Sequence, residues 1–269
     1  MSEAAGSASA ASGDDAAAAA SGEAWSPIAE EWAARWGRVA DPARDEIVRR
    51  AGIGPGSRVL DVGCGSGEFA AQLVAAGAVV AAVDAAPGMV ALARWAAPAA
   101  EVRLAPIDRL PFGDGVFDVV VAVNALQFAD DMAAALAELA RVTAPGGAVV
   151  VANWAERARN DLDTLETAVA IDDGDDPDDL VDLGYRLPGG LDALFAEVGI
   201  PVEWSSTVDV PWRAATDDDL ARGVLLGEDD DTIAARAPVV VAAARPFAAP
   251  DGGYELRNAF YVVVGRIPR

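Results

Sequence analysis

Short apolar segments alternate with helix-forming segments through the first half of this sequence, and this alternation is its strongest constraint on the fold. Five segments have the length and composition of strands: Arg58–Val62, Val79–Asp84, Glu101–Leu104, Phe117–Val123 and Ala148–Asn153. Apolar strands of this kind are buried on both faces, which is typical of a parallel sheet covered by helices. The sequence therefore predicts an open, doubly wound α/β sheet with helices on both faces.

In three of the intervals between these strands, apolar residues recur at helical spacing. The predicted helices cover Glu68–Ala76, Gly88–Ala96 and roughly residues 130–142. Residues 25–51, ahead of the first strand, are also expected to be helical, with an N-cap at Asp41.

Residues beyond the fifth strand are less regular. Leu191–Val198 predicts a helix, and Val202–Val210 and Phe260–Arg266 predict two further strands. Helical stretches at Asp217–Leu226 and 234–244 lie between those two strands.

The chain is expected to form a tail and one domain. Residues 1–22 are rich in Ala, Ser, Gly and Asp without hydrophobic periodicity, and they predict a disordered tail. Residues 23–269 predict a single domain with its ligand-binding core at about 50–154. The segments at about 155–190 and 213–258 are expected to be insertions.

The charge of the chain restricts its partners. There are 43 acidic and 20 basic residues, all of the latter Arg, for a formal net charge of −23. Such a charge repels phosphate backbones, so nucleic acids and anionic membranes are not expected as partners. The acidic run 172–179 lacks calcium-loop spacing and predicts a solvated linker or a helix start.

Missing residue types exclude several kinds of chemistry. The sequence has no histidine, which excludes Ser-His-Asp and Cys-His catalysis and His-ligated zinc, and no metal site is expected. Its single cysteine, Cys64, fits a reducing compartment and predicts a small buried filler. With no secretory signal and no apolar run long enough to span a membrane, a cytoplasmic location is expected.

A glycine-rich turn between the first strand and the next helix predicts a ligand site. Gly63, Gly65 and Gly67 allow a tight reversal and a close approach to the backbone, and the helix start offers free N–H groups. A nicotinamide or flavin site would have its third glycine at position 68, where this chain has Glu68. A turn without a ligand is the alternative reading.

Asp84 ends the second predicted strand, about twenty residues after the turn. A carboxylate there can accept hydrogen bonds from both hydroxyls of a ribose. The alternative is a structural role as a cap of the following helix. Beside the glycine-rich turn, ribose binding is the favoured interpretation.

Four motifs in order resemble those of the class I S-adenosylmethionine-dependent methyltransferases. They are Val59–Gly67, Val80–Val90, Leu110-Pro111-Phe112 with Phe117–Val120, and Arg141–Gly147. The small-molecule branch, which includes the quinone C-methyltransferases, is the most similar pattern. The resemblance covers about Trp25 to Trp154 and implies a Rossmann-like, mostly parallel sheet with an antiparallel C-terminal strand.

The resemblance implies S-adenosylmethionine as the cofactor and assigns residues to each of its parts. Those implied to contact the methionine, ribose or adenine are Asp61, Gly63, Gly65, Gly67, Asp84, Ala85, Met89 and Asn124. Family members commonly place an Asp near the third strand to meet the adenine, but this chain has Ala105-Pro106-Ile107 there. Asp108 and the backbone N–H of Ile107 are the expected substitutes.

The resemblance also locates the acceptor and the insertions that would cap it. Residues where the family's substrate pocket opens are Trp25, Trp32, Trp36, Gln127, Asn153 and Trp154; for the tryptophans, core packing is the alternative. Any general base is expected among Asp, Glu or Tyr of the insertions, with Tyr185 and Tyr254 as unplaced candidates.

Three functions therefore stay open at this point. The favoured one is methyl transfer to a small, neutral or cationic, partly apolar acceptor. The alternatives are a non-catalytic S-adenosylmethionine-binding module, which Pro106 favours, and an NAD(P)-dependent oxidoreductase, which Glu68 disfavours.

Overall fold

A computed structural model describes Gly22, residues 24–176 and residues 181–269. The predicted disordered tail at residues 1–22 lies outside the described residues except for Gly22, and so does part of the acidic run, 177–179. The residues of that run that are described, up to Asp176, end a helix and are mostly exposed.

The strands form a seven-stranded sheet and a two-stranded ribbon. Their bounds are β1 Arg58–Val62, β2 Val79–Asp84, β3 Glu101–Leu104, β4 Phe117–Val123, β5 Thr143–Trp154, β6 Val202–Asp209, β7 Trp212–Ala214, β8 Tyr254–Leu256 and β9 Ala259–Arg266. The order in the large sheet is β3-β2-β1-β4-β5-β9-β6, and β7 pairs with β8. Strands β1 to β5 are parallel and β9 is antiparallel to both neighbours. The predicted Rossmann-like fold is confirmed.

Helices lie around this sheet. Their bounds are α1 Ala29–Arg35, α2 Asp41–Ala51, α3 Glu68–Ala75, α4 Pro87–Ala96, α5 Met132–Val142, α6 Asp161–Asp172, α7 Gly190–Glu197, α8 Asp217–Val224 and α9 Asp230–Ala244. No helix of the described ranges is long and apolar enough to cross a membrane.

The two faces of the sheet bury separate cores. One core joins the sheet to α2, α3 and α4 through residues such as Ile47 and Phe69. The other joins it to α5 and α7 through residues such as Leu139 and Phe195. These layers keep the sheet rigid, so the loops at the carboxyl ends of its strands have fixed positions.

Two expectations about element boundaries are wrong. Asp41 is the first residue of α2, after Ala40, and its carboxylate accepts hydrogen bonds from Arg38 and Arg44 instead of capping the helix. Strand β5 begins at Thr143, five residues earlier than expected. Thr143 pairs with Phe117 before the register shifts, and Gly147 accepts a hydrogen bond from Ile267, so a bulge continues the strand.

A third cluster of buried residues joins the segments 155–190 and 213–258. Helices α6, α8 and α9 pack together with the β7–β8 ribbon through Leu165, Leu220, Val240 and others. Trp36 joins this cluster to the N-terminal helices, because its ring stacks on Trp212 with centroids 4.4 Å apart. These segments therefore pack close to the end of α1.

Candidate functional site

A cavity of about 770 Å³ lies at the carboxyl ends of the parallel strands. Its walls include residues after β1, β2, β3 and β4, and the sheet order reverses between β1 and β4. Open α/β sheets bind ligands at such a switch point. The volume lies within the roughly 300–1,000 Å³ typical of small-molecule sites.

Most of the sequence-predicted site residues line this cavity. They are Gly63, Gly65, Asp84, Ala85, Met89, Ile107, Asp108, Asn124, Trp25, Trp32, Trp36, Gln127 and Trp154. Asp61, Gly67 and Asn153 are not on its wall.

The glycine-rich turn is tied to the second strand. The backbone N–H groups of Gly63 and Cys64 donate to the carbonyl oxygen of Val83, at 2.8 and 2.9 Å. Cys64 is buried, and burial raises the pKa of its thiol well above the usual value, so it stays protonated.

Two glycines of the turn have different neighbours. Gly65 has φ +54°, and a Cβ there would lie 3.3 Å from the ring of Trp32 at the cavity wall. Gly67 has φ +93°, and a Cβ there would lie 2.6 Å from the Cα of Ala93 in α4. Gly65 therefore keeps cavity space open, whereas Gly67 permits two helices to pack closely.

Asp84 lines the cavity and is held by the backbone on both sides of it. Its Oδ2 accepts from the backbone N–H of Gly65 and its Oδ1 from that of Ala86 just ahead of α4, each at 2.9 Å. A carboxylate offers about four acceptor positions, so these two hydrogen bonds do not use all of them. Burial raises the pKa of Asp84, against the lowering effect of these backbone hydrogen bonds.

A buried arginine lies beneath the turn, and sequence reasoning missed it. The Arg44 guanidinium lines the cavity and donates to the carbonyl of Gly37 at 2.7 Å and to Asp41 at 3.0 Å. Its Nε has no partner among the described residues. The available signal is its spacing, because Arg44 shares the inward face of α2 with Ile47 and Ala51.

Asp61 is buried beside this cation. Burial raises its pKa to about 7, Arg44 lowers it, and the nearby carboxylates of Asp84 and Glu68 raise it further. Its Oδ2 has no hydrogen-bond partner in the described structure. Asp61 therefore interacts electrostatically with Arg44, although it does not line the cavity itself.

The loop after β3 forms part of the cavity wall. Pro106, Ile107 and Asp108 line the cavity, as do Ala85 and Met89. Asp108 is exposed and Ile107 is partly buried. An aromatic ring would find apolar surface at Ile107 and Met89 and one carboxylate at the edge.

Asn124 follows β4 with an unusual backbone. Its φ is +52°, and its N–H donates to the carbonyl of Ala152 at 2.6 Å. Its side-chain oxygen accepts from Nε2 of Gln127 at 2.7 Å, and the buried Oε1 of Gln127 has no partner within the described part of the chain. Strain of this kind is concentrated at functional sites.

Tryptophans form the far wall of the cavity. Trp154 meets Trp36 and Phe260 edge to face, at centroid distances of 6.4 and 4.6 Å. Trp36 also donates its indole N–H to the carbonyl of Gly223 at 3.1 Å. These rings therefore pack against the segments 155–190 and 213–258 and also line the cavity.

Two other tryptophans and Asn153 are placed differently. Trp32 lies over Gly65, and Trp25 meets the half-exposed Phe128 at 5.5 Å near the mouth. Asn153 is fully buried, and neither polar atom of its side chain has a partner in the described structure. Because side chains alternate along a strand, it faces away from the cavity that Trp154 lines.

Sequence reasoning also missed the charged residues at the end of the cavity under α6. Glu166 and Arg186 line it there together with Tyr185. Arg186 donates to both carboxylate oxygens of the buried Asp163, at 3.0 and 2.5 Å. The signal for Glu166 is its position four residues after the buried Leu162 on one helix.

The other candidate general base, Tyr254, does not line the cavity. Tyr254 donates to Asp217 at 2.6 Å on the two-stranded ribbon. No group of three or more acidic or cysteine residues among the described positions is arranged to hold a metal ion.

The similarity to known proteins covers most of the segment that forms β1 to β5. Residues 60–151 match a family model described as a methyltransferase domain. The chain is 38% identical over 122 residues to malonyl-[acyl-carrier protein] O-methyltransferase of Serratia marcescens, a match covering 44% of this chain and 48% of the relative.

Two further similarities extend this result. The chain is 39% identical over 115 residues to demethylmenaquinone methyltransferase of Beutenbergia cavernae, covering 41% and 48% of the two proteins. The fold resembles that of a SAM-dependent methyltransferase from Aquifex aeolicus, with a TM-score of 0.52, 17% identity, and 86% of this chain and 92% of that chain covered. The chain thus spans about half the length of the curated relatives it matches.

Proposed function

We propose that this chain transfers a methyl group from S-adenosylmethionine to a small-molecule acceptor by in-line displacement, which the match of residues 60–151 to a methyltransferase-domain model supports. One observation carries most of the proposal. The carboxylate of Asp84 is hydrogen-bonded to Gly65 of the glycine-rich turn, and both line a cavity that also contains the guanidinium of Arg44.

The residues present fit the three parts of this cofactor. The Asp84 carboxylate lines the cavity and would accept hydrogen bonds from the ribose hydroxyls. Arg44, with no partner at Nε, suits the methionine carboxylate, and Asp61 holds that arginine by charge. Gly63, Gly65 and Asn124 would surround the methionine, while Ala85, Met89, Ile107 and Asp108 would surround the adenine; Gly67 would shape the turn through its packing.

S-adenosylmethionine supplies a methyl group activated by the positive charge on its sulfur. The chain's residues then have to bind, orient and exclude water. The turn and Asp84 fix one end of the cavity, and the tryptophans and insertions enclose the other, so two bound molecules can be held in line.

We assign the acceptor to the half of the cavity under the insertions. In this view residues 155–190 and 213–258 form a cap on the domain of residues 23–269, and Trp25, Trp32, Trp36, Gln127 and Trp154 contact the acceptor. Asn153 would support this wall from the other face of β5. The tryptophan surface favours a partly apolar molecule.

The relatives do not decide the acceptor. One is named for an acyl-carrier-protein substrate and the other for a quinone precursor, and each match covers less than half of the relative. We further propose that the reaction takes place in the cytoplasm without nucleic acid or membrane partners, which the net charge of −23 supports.

Two alternatives would give different results. An oxidoreductase would need a dinucleotide pyrophosphate at the start of α3, where the Glu68 carboxylate accepts from Ser66 Oγ at 2.7 and 2.8 Å and would repel it. A non-catalytic binding module would bind the cofactor without turnover; Pro106 at the third-strand loop is the feature in its favour.

Isotope transfer tests the proposal. The protein is incubated with S-adenosylmethionine carrying a trideuterated methyl group and a panel of phenols, amines, thiols and carboxylic acids. Mass spectrometry should detect one acceptor class that gains the labelled methyl group. Saturable cofactor binding with no labelled product from any class would favour the binding module.

A further inference from the structure

We propose that Glu166 is the proton acceptor of this site and that the acceptor is an aromatic molecule with an ionisable hydroxyl group. This inference rests on the methyl-transfer function proposed above and adds a substrate class and a catalytic residue to it.

The position of Glu166 is the first argument. Its side chain is exposed, and the surface that it exposes faces two cavities. One is the large cavity, and the other has a volume of about 270 Å³. Val224 and Leu226 are also shared by both cavities. Glu166 therefore borders both the large cavity and a second cavity whose wall carries Asp173, Asp175, Glu228 and Arg236.

The pairing of the neighbouring charges is the second argument. Arg186 and Arg157 both form ion pairs with Asp163, and Arg157 also approaches Thr167. Glu166 has no hydrogen bond or ion pair among the described residues. It is thus a carboxylate on the cavity wall whose acceptor positions are unused, and it favours a ligand that donates a proton over one that carries a carboxylate.

Charged groups on several elements surround Glu166. Asp163 lies on its own helix, Arg157 and Arg186 on the flanking turns; those around the smaller cavity are Asp173, Asp175, Glu228 and Arg236. The enclosure of Glu166 by protein raises its pKa to about 7, with Asp163 raising it and the two arginines lowering it. A carboxylate in this range gains and releases a proton near neutral pH.

The aromatic wall determines the rest of the acceptor. Trp36, Trp154 and Phe260 line the same half of the cavity, and their rings are fixed by edge-to-face contacts. A flat ring packs well against such surfaces. An aromatic molecule with a hydroxyl group can pack its ring against this wall and donate a hydrogen bond from the hydroxyl to the Glu166 carboxylate.

The step balances as follows. The O–H bond of the acceptor breaks, its proton passes to a carboxylate oxygen of Glu166, and the electron pair of that bond stays on the acceptor oxygen. That oxygen forms a bond to the methyl carbon as the sulfur–methyl bond breaks, and the bonding pair stays on sulfur. Glu166 then releases the proton to solvent.

A coloured phenol tests the assignment by binding. 4-Nitrophenol absorbs differently as phenol and as phenolate, so its ionisation is visible when bound. It is titrated into the full-length protein, with and without S-adenosylhomocysteine, at pH values on both sides of 7. We expect saturable binding and a raised pKa of the bound phenol, because its phenolate would face the Glu166 carboxylate.

Variants separate contact from general charge. Glu166→Gln should lower the pKa of the bound phenol by one unit or more, a tenfold change in its ionisation. Glu166→Asp should keep it raised, and Glu228→Gln, which removes the same charge from the smaller cavity alone, should leave it unchanged. Circular dichroism checks that each variant is folded.

Several results would overturn the inference. They are no saturable phenol binding, equal shifts in Glu166→Gln and Glu228→Gln, or binding of benzylamine in place of the phenol. Failure of the proposed function is distinguishable, because S-adenosylhomocysteine would then not bind while the effect of Glu166 on the phenol could persist without it.

Discussion

The backbone N–H of Gly65 donates a hydrogen bond of 2.9 Å to the carboxylate of Asp84, nineteen residues further along the chain. This contact joins the loop after β1 to the end of β2. It aims the carboxylate at the cavity and fixes the glycine turn at the same time, so binding predictions about either residue depend on the other.

Replacing Asp84 should weaken S-adenosylmethionine binding. Asp84→Ala removes a charged acceptor and should cost about 1.5–3 kcal/mol of binding free energy, roughly a ten- to 150-fold rise in Kd. Isothermal calorimetry measures the change. Asp114→Ala, which removes an exposed carboxylate paired with Arg141, is the matched control and should bind normally. An unchanged Kd in Asp84→Ala would contradict the ribose assignment.

The two glycines should respond in different ways to substitution. Gly65→Val places a branched side chain against Trp32 in the cavity and should abolish binding while the protein stays folded. Gly67→Ala meets the backbone of Ala93 and should lower the melting temperature. Calorimetry and thermal unfolding on both variants distinguish the effects. Normal binding by a folded Gly65→Val would show that the turn does not cradle the ligand.

Stability should depend on pH through Asp61. Its folded pKa of about 7 lies above the ordinary value of 3.8, so the unfolded chain loses this proton first as pH rises. The contribution of Asp61 is therefore favourable below pH 4 and is lost as pH rises to about 7. Denaturant unfolding of Asp61→Asn should show a smaller loss of stability between these values than the unchanged protein. Parallel pH curves for the two proteins would refute this origin.

The ion pair under α6 should contribute more to stability than a surface pair. Asp163→Ala leaves two partly buried arginines without their carboxylate and should cost about 3 kcal/mol. Glu255→Ala breaks the exposed pair with Arg213 and should cost under about 1 kcal/mol. Urea unfolding gives both values, and equal losses would show that burial does not strengthen the Asp163 cluster.

The sheet could be predicted closely because its strands are apolar on both faces. Bounds expected for Arg58–Val62, Val79–Asp84, Glu101–Leu104 and Phe117–Val123 agree with β1 to β4 residue for residue. The start of β5 could not be predicted, since the bulge at residues 144–147 is held by hydrogen bonds to the distant Ile267.

The candidate site was predictable where a motif or a strand end marks it. Gly65 and Asp84 follow from the turn and its spacing, and both line the cavity. Arg44 and Glu166 carry only weak helical-periodicity signals, and their importance comes from what tertiary packing places beside them. Asn153 was expected at the wall by its position after the strand, but the alternation of side chains turns it to the opposite face.

Calorimetric titration of the purified protein with S-adenosylmethionine, S-adenosylhomocysteine and NADH tests the central claim most directly. We predict saturable binding of S-adenosylmethionine and S-adenosylhomocysteine, with one site per chain, and no binding of NADH. Binding of NADH alone, or of none of the three, would contradict it.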